Sequence, residues 1–252
     1  MASTTDTEHQ EQTEAGGRGR RRPGRIVAQT VSVLGELLIT AGLVMGLFVV
    51  YSLWWTNVVA DRAADKQAEK VRDNWAQDRV GHGPSGPGAL DTKAGIGFLH
   101  VPAMGEGDVL VEKGTSMKVL NDGVAGYYTD PVKATLPTSD KKGNFSLAAH
   151  RDGHGAKFHN IDKIEKGDPI VFETKDTWYV YKTYAVLPET SKFNVDVLDG
   201  VPKESGKKKA GHYITLTTCT PVYTSRYRYV VWGELVRTEK VDGERTPPAE
   251  LR

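Results

Sequence analysis

The feature that most constrains this chain is an uncharged stretch of 24 residues, 37–60, close to the N-terminus. At ~1.5 Å of rise per helical residue, residues 37–55 are already long enough to span the ~30 Å hydrocarbon core of a bilayer. One transmembrane helix is therefore expected. A secretory signal peptide is the competing reading, but it carries a shorter apolar run and ends in small residues at a cleavage site. Here the run ends in Tyr51, Trp54 and Trp55, the aromatic belt of a membrane interface, which favours an uncleaved anchor over residues 26–60. Glu36 is expected at the inner interface, where its charge stays hydrated. Arg18, Arg20, Arg21, Arg22 and Arg25 precede the helix, and Arg62, Lys66, Lys70 and Arg72 follow it. The denser basic cluster is N-terminal, so the expected orientation has the N-terminus in the cytoplasm and the larger part of the chain outside. Gly42 and Gly46 form a G-x-x-x-G, a small-residue face on which two helices can pack as a weak homodimer.

The anchor divides the rest. Residues 1–25 are rich in Thr, Glu, Gln, Gly and Arg and cannot bury enough apolar surface to fold, so they read as a disordered tail. Residues 61–80 mix alanine with alternating charges, as in a solvated helix rising from the membrane, and the Gly/Pro cluster at 81–88 breaks it. Residues 61–91 form this linker. From about residue 92 the pattern becomes short β-type runs between turn signals, with candidate strands at 96–101, 108–112, 144–150, 169–174, 178–187, 213–219 and 227–236. A closed all-β barrel with short helices is the simplest architecture for these runs, one of the helices covering 157–164. Residues 239–252, with Pro247 and Pro248, read as an unstructured polar tail. A domain of about 150 residues buries an adequate core without disulfide staples. The 33 basic and 32 acidic residues nearly cancel, leaving no single-sign field for nucleic acid.

The chain has a single cysteine, Cys219, so no internal disulfide is possible, and a lone thiol outside the cytoplasm calls for a chemical reason. Cys219 ends the run Ile214-Thr215-Leu216-Thr217-Thr218-Cys219. With a period of two, Thr215, Thr217 and Cys219 share one face of the strand while Ile214 and Leu216 share the other, so the thiol stands with hydroxyls instead of in the aliphatic layer. A packing cysteine predicts the opposite neighbours. A nucleophilic thiol needs a proton acceptor and a group to stabilise an oxyanion. Among the seven histidines, His9 and His82 fall in the tail and linker, and His154 and His159 flank a glycine-rich loop. His150 ends the alternating run Phe145-Ser146-Leu147-Ala148-Ala149-His150, beside small residues that leave room for a substrate. Arg226 and Arg228 lie two apart, on one face of the strand after Cys219, and from spacing alone either reaches the thiol.

Together, Thr215-Leu216-Thr217-Thr218-Cys219 and Arg228-Tyr229-Val230-Val231 resemble the signature of the sortases, the cysteine transpeptidases of Gram-positive bacterial surfaces. Gly143-Asn144-Phe145-Ser146-Leu147-Ala148-Ala149-His150-Arg151 is similar to the family's histidine segment, with Ala149 where glycine is commoner. The spacings, 69 residues from His150 to Cys219 and nine from Cys219 to Arg228, resemble those of the class E branch of actinobacteria. The resemblance covers roughly residues 92–238. It implies an eight-stranded sortase β-barrel and a catalytic set of Cys219, His150 and Arg228. It also implies substrate contacts from the threonines Thr217 and Thr218, and from a tyrosine where related classes carry G-x-G-H. Tyr127 and Tyr128 both fit that last position, and the sequence does not choose between them.

The implied reaction is cleavage of a C-terminal L-A-x-T-G-type sorting signal between Thr and Gly, through a thioester on Cys219. Transfer to a peptidoglycan amine, from a lipid-linked precursor or a wall cross-bridge, completes it. Neither cofactor nor metal is expected, because the acidic residues are scattered and no His/Cys/Asp spacing forms a ligand set. At ordinary pKa values of ~8.5 for Cys and ~6.5 for His, the thiolate–imidazolium form is roughly 1% of the pair. Two rivals were weighed. An L,D-transpeptidase places His and Gly a few residues before its cysteine, where this chain has Thr215 and Leu216. A membrane-tethered binding domain with an inert Cys219 would keep its function when the thiol is blocked.

Overall fold

The computed structural model describes residues 23–80, 95–105 and 107–252. Most of the expected N-terminal tail and of the Gly/Pro cluster at 81–88 lies outside the described residues. A single helix, α1 (Pro23–Val80), carries the whole apolar run, and by length and composition it is able to cross a membrane. Along that run the apolar side chains are exposed: Ile39 is 76% exposed and Phe48 65%. Tyr51 stacks on Trp55 with ring centroids 5.7 Å apart.

From Tyr51 onward the helix belongs with the folded domain. The expectation of a wholly solvated helix over 61–80 is corrected here. Ala64 and Val71 are buried, and with Ala68 and Trp75 they form one stripe of α1 against Phe98, Leu110 and Val124. Spacings of three and four residues put these small apolar groups on one face, and the charged residues between them occupy the other. Trp75 meets Phe98 edge-on at 5.4 Å.

Eight strands follow: β1 (Gly97–His100), β2 (Val109–Lys113), β3 (Ala125–Tyr127), β4 (Gly143–Ala148), β5 (Pro169–Glu173), β6 (Thr177–Ser191), β7 (His212–Thr220) and β8 (Tyr227–Lys240). They close in the order β1-β2-β3-β4-β7-β8-β6-β5, so the sheet has no free edge to protect. Two pairings are parallel, β2 with β3 and β4 with β7; the rest are antiparallel. Alternate residues along the strands point inward and fill the barrel: Phe145, Leu147, Phe172, Tyr181, Ile214, Leu216 and Val231 belong to one buried cluster, with Phe145 and Phe172 at 4.8 Å.

Seven of these strands overlap the sequence expectation, and β3 is the one that the strand pattern did not reveal. A helix α2 (Met117–Leu120) supports the β2–β3 connection. The helix expected over 157–164 is only the 3₁₀ turn Ile161–Lys163. Its buried residues Phe158, Ile161 and Ile164 recur every third position, the eclipsed spacing of a 3₁₀ turn and not the 3.6 of an α-helix. The polar tail is also corrected: β8 runs on to Lys240 and a short 3₁₀ turn, Ala249–Leu251, follows. Arg237, which pairs with Glu250, and Arg245 both hold the tail; the contacts of Arg245 reach farthest. Its Nε donates to Glu173 Oε1 at 2.9 Å, and its guanidinium lies 4.5 Å from the centre of the Trp75 ring. Glu173 is buried at 2% exposure and also takes His100 Nε2 at 2.9 Å and Arg72 Nη1 at 3.4 Å. Burial alone would raise this carboxyl, but His100, Arg72 and Arg245 together hold it below the ordinary range.

Candidate active site

The parallel register of β4 and β7 assembles the site. Ala148 pairs with Thr217, so two residues further along both chains bring His150 level with Cys219. On the other side of β7, Cys219 is the direct cross-strand partner of Arg228. One rim of the barrel therefore carries an imidazole, a thiol and a guanidinium from three adjacent strand ends, and all three line a cleft of about 350 Å³. Arg226 falls before β8 begins, with its guanidinium 5.1 Å from the Tyr227 ring centre. It is not among the residues lining the cleft. The register thus separates two arginines that spacing alone leaves equivalent.

Backbone anchors fix the histidine segment. Thr218 Oγ1 donates to the Ala149 carbonyl at 2.7 Å, and Phe158 N–H donates to the His150 carbonyl at 3.0 Å. Next in the chain, Arg151 is buried and donates from Nη1 to Thr220 Oγ1 at 2.8 Å, tying the end of β4 to the end of β7. His150 Nε2 lies 2.9 Å from Asn121 Oδ1. That oxygen only accepts, so in the neutral ring Nε2 carries the proton and Nδ1 the lone pair. The His154 ring lies 5.4 Å from that of His150. Burial first, then the like charge of His154, lower the His150 pKa against the opposing pull of Asp152. The Arg228 Nη1 group donates to the carbonyls of Tyr227 at 3.0 Å and Ser225 at 3.3 Å, and its remaining N–H groups have no partner among the described residues. Cys219 is partly exposed and free.

The two tyrosines part company. Tyr127 is the last residue of β3, pairs with Leu147 and points into the barrel cluster, so the substrate contact expected of it does not fit its place. Tyr128, one residue on, faces the other way and lines the cleft. Its hydroxyl is 2.9 Å from Thr217 Oγ1, which in turn donates to the Leu147 carbonyl at 3.1 Å. The single Thr217 proton is used there, so Tyr128 is the donor of the pair. Burial raises the Tyr128 pKa and the nearby Cys219 adds to the rise, while Thr217 and Arg228 oppose it. Thr217 and Thr218 both border the cleft, but the Thr218 hydroxyl is committed to holding the residue before His150.

Sequence reasoning missed Asn121 and the anchoring role of Arg151. Arg151 was visible as a neighbour of His150, but Asn121 lies 29 residues upstream with no local signal. Among the described residues, no group of three or more His, Cys, Asp or Glu side chains is placed to hold a metal ion.

A partly exposed thiol on the strand between those that carry an imidazole and a guanidinium, all three lining one cleft, is the equipment of a cysteine acyl-transfer enzyme. The sequence comparisons narrow that class. The family model described as the sortase domain matches residues 99–236. The chain is 91% identical over 253 residues to Sortase SrtE2 of Streptomyces coelicolor, covering the full length of both. It is 47% identical over 217 residues to Sortase SrtE1 of the same organism, covering 86% of this chain and 60% of that one. The crystal structure of Sortase E1 from Streptomyces coelicolor with a tripeptide in the active site superposes with a TM-score of 0.59 at 47% identity, over 63% of this chain and 96% of that one. Sortase E from Streptomyces avermitilis gives 0.55 at 34%, over 63% and 97%. The chain belongs to the sortase family, in its class E branch: it is a cysteine transpeptidase that joins proteins bearing sorting signals to cell-wall amines.

Proposed function

We propose that Cys219, His150 and Arg228 carry this transpeptidation, and that the preferred signal is of the L-A-x-T-G type, cut between Thr and Gly. The observation that supports it is the rung on which Cys219 faces Arg228, with His150 level with the thiol on the neighbouring strand. The Cys219 thiolate attacks the threonine carbonyl, and the oxyanion that forms is held by the unpartnered N–H groups of Arg228. His150 gives its proton to the departing glycine amine, leaving a thioester. An amine from a peptidoglycan precursor, lipid-linked or in the wall cross-bridge, then attacks that carbonyl. His150 takes up the amine proton and Cys219 leaves as thiolate. The Tyr128 hydroxyl, which donates to Thr217, keeps its lone pairs for an N–H of the bound signal.

In this reading the N-terminal arginines stay in the cytoplasm, residues 37–55 span the bilayer, and the barrel works on the outer face. Gly42 and Gly46 supply the face on which two anchors meet weakly. The test is to incubate the full chain with L-A-x-T-G peptides and an amine, and to identify the product by mass. The expected product joins the threonine carbonyl to the amine. Cleavage at another bond, or retained turnover after alkylation of Cys219, contradicts the proposal.

A further inference from the structure

The imidazole of His150 is held by Asn121, which does not line the cleft, and the loops beside it rest on the turn of α1 that follows residues 37–55. Asn121 accepts from His150 at 2.9 Å and stands two residues before Gly123. Gly123 has φ +74°, and a Cβ there would lie 2.8 Å from the Ala60 carbonyl oxygen, so the turn carrying Asn121 rests directly on the helix backbone. On the other side of His150, Gly155 donates its N–H to Asn57 Oδ1 at 3.0 Å, and Lys157 Nζ meets Asp61 Oδ1 at 2.9 Å. A Cβ on Gly155, whose φ is +77°, would stand 2.9 Å from Asp61 and 3.3 Å from the Gly123 backbone. The two loops that flank the imidazole thus meet each other and a single helical turn, in which Ala60 is buried.

We infer that the turn of α1 from Asn57 to Asp61 is a positioning element for His150, acting through Asn121 on one side and the Gly155–Lys157 loop on the other. This turn is then part of the frame of the active site, and is more than a tether. The inference rests on His150 being the acid and base of the reaction. A purely structural docking of the helix would contribute to stability and leave the chemistry of the imidazole alone. A positioning element changes how often His150 is aligned and where it titrates.

The experiment uses the full chain in lipid nanodiscs, with a fluorogenic L-A-x-T-G peptide and the variants Asn121→Ala, Asn57→Ala/Asp61→Ala, Asn57→Asp and His150→Ala. Four quantities are read: kcat, KM, the acidic limb of the rate–pH profile, and the pH dependence of Cys219 alkylation by iodoacetamide. Asn121→Ala is expected to lower kcat by about tenfold or more with KM little changed. The double variant is expected to lower kcat by about three- to tenfold and to move the acidic limb. Asn57→Asp, which keeps an acceptor for Gly155, is expected to stay near wild type. A double variant that melts at lower temperature yet keeps the wild-type kcat and both pH profiles overturns the inference. Loss confined to Asn121→Ala overturns the part assigned to the helix. Turnover retained in His150→Ala would instead overturn the acid–base reading beneath it.

Discussion

Cys219 and Arg228 share one rung of a β ladder, whereas Arg226 lies outside it over the Tyr227 ring. Arg228→Ala should therefore lower kcat by about 10²- to 10³-fold, the scale of one lost oxyanion donor, while Arg226→Ala does much less. Steady-state kinetics on one peptide reads both. The tyrosines give a second contrast. Tyr128→Phe should shift the preference between L-A-x-T-G and L-P-x-T-G peptides by about tenfold or more, a difference of about 1.4 kcal/mol in transition-state binding. Tyr127→Ala should instead lower stability by about 3 to 5 kcal/mol, as for other large aromatic truncations, with both peptides affected alike. An unchanged peptide ratio in Tyr128→Phe would sink the assignment. The third prediction concerns pH. His154 is one of the two causes that lower the His150 pKa, so His154→Gln should raise it. The acidic limb of kcat/KM should then move to higher pH. Titration of the His150 ring by NMR checks the direction. The candidates Cys219, His150 and Arg228 stood out in the sequence because each lies at or beside a strand end in a distinctive run. The choice between Tyr127 and Tyr128 was not, because a strand of three residues is too short for alternation to show its phase.

At the scale of elements, seven strands were readable from alternation and turn residues, and the short β3 was hidden by its length. The C-terminal segment was misjudged for a different reason. Arg245, Arg72 and His100 come from three distant parts of the chain and converge on Glu173, and no local pattern announces such a meeting. Glu173→Gln removes the buried carboxylate on which they converge, leaving only Arg72 with a second acidic partner, Asp108, and should cost about 3 kcal/mol of stability near neutral pH. The folded-state pKa of Glu173 is lowered, so its contribution is present above the ordinary carboxylate pKa and is lost as the pH falls through the folded value. Denaturant titrations at about pH 7 and at a pH below the folded-state value should accordingly show a large difference between wild type and variant at the first and a small one at the second. Equal differences at both would contradict the role given to this cluster.

Over the whole molecule, the apolar run and the β-rich remainder were plain in the sequence, and the packing of residues 60–75 of α1 on the barrel was not. The stripe Ala60, Ala64, Ala68, Val71 and Trp75 was present in the letters, but four of its side chains are small or modest and charges interrupt it. Its meaning depended on a barrel surface that only folding creates. The account turns on one covalent event at the barrel rim, the passage of an acyl group onto the sulfur of Cys219. Its most direct measurement is mass spectrometry of the full chain quenched in acid during turnover of an L-A-x-T-G peptide, with the adduct mapped by proteolysis. The expected result is the peptide up to its threonine, attached to Cys219 as a hydroxylamine-sensitive thioester and absent from Cys219→Ala. An adduct on another residue, or turnover by Cys219→Ala, would contradict the account.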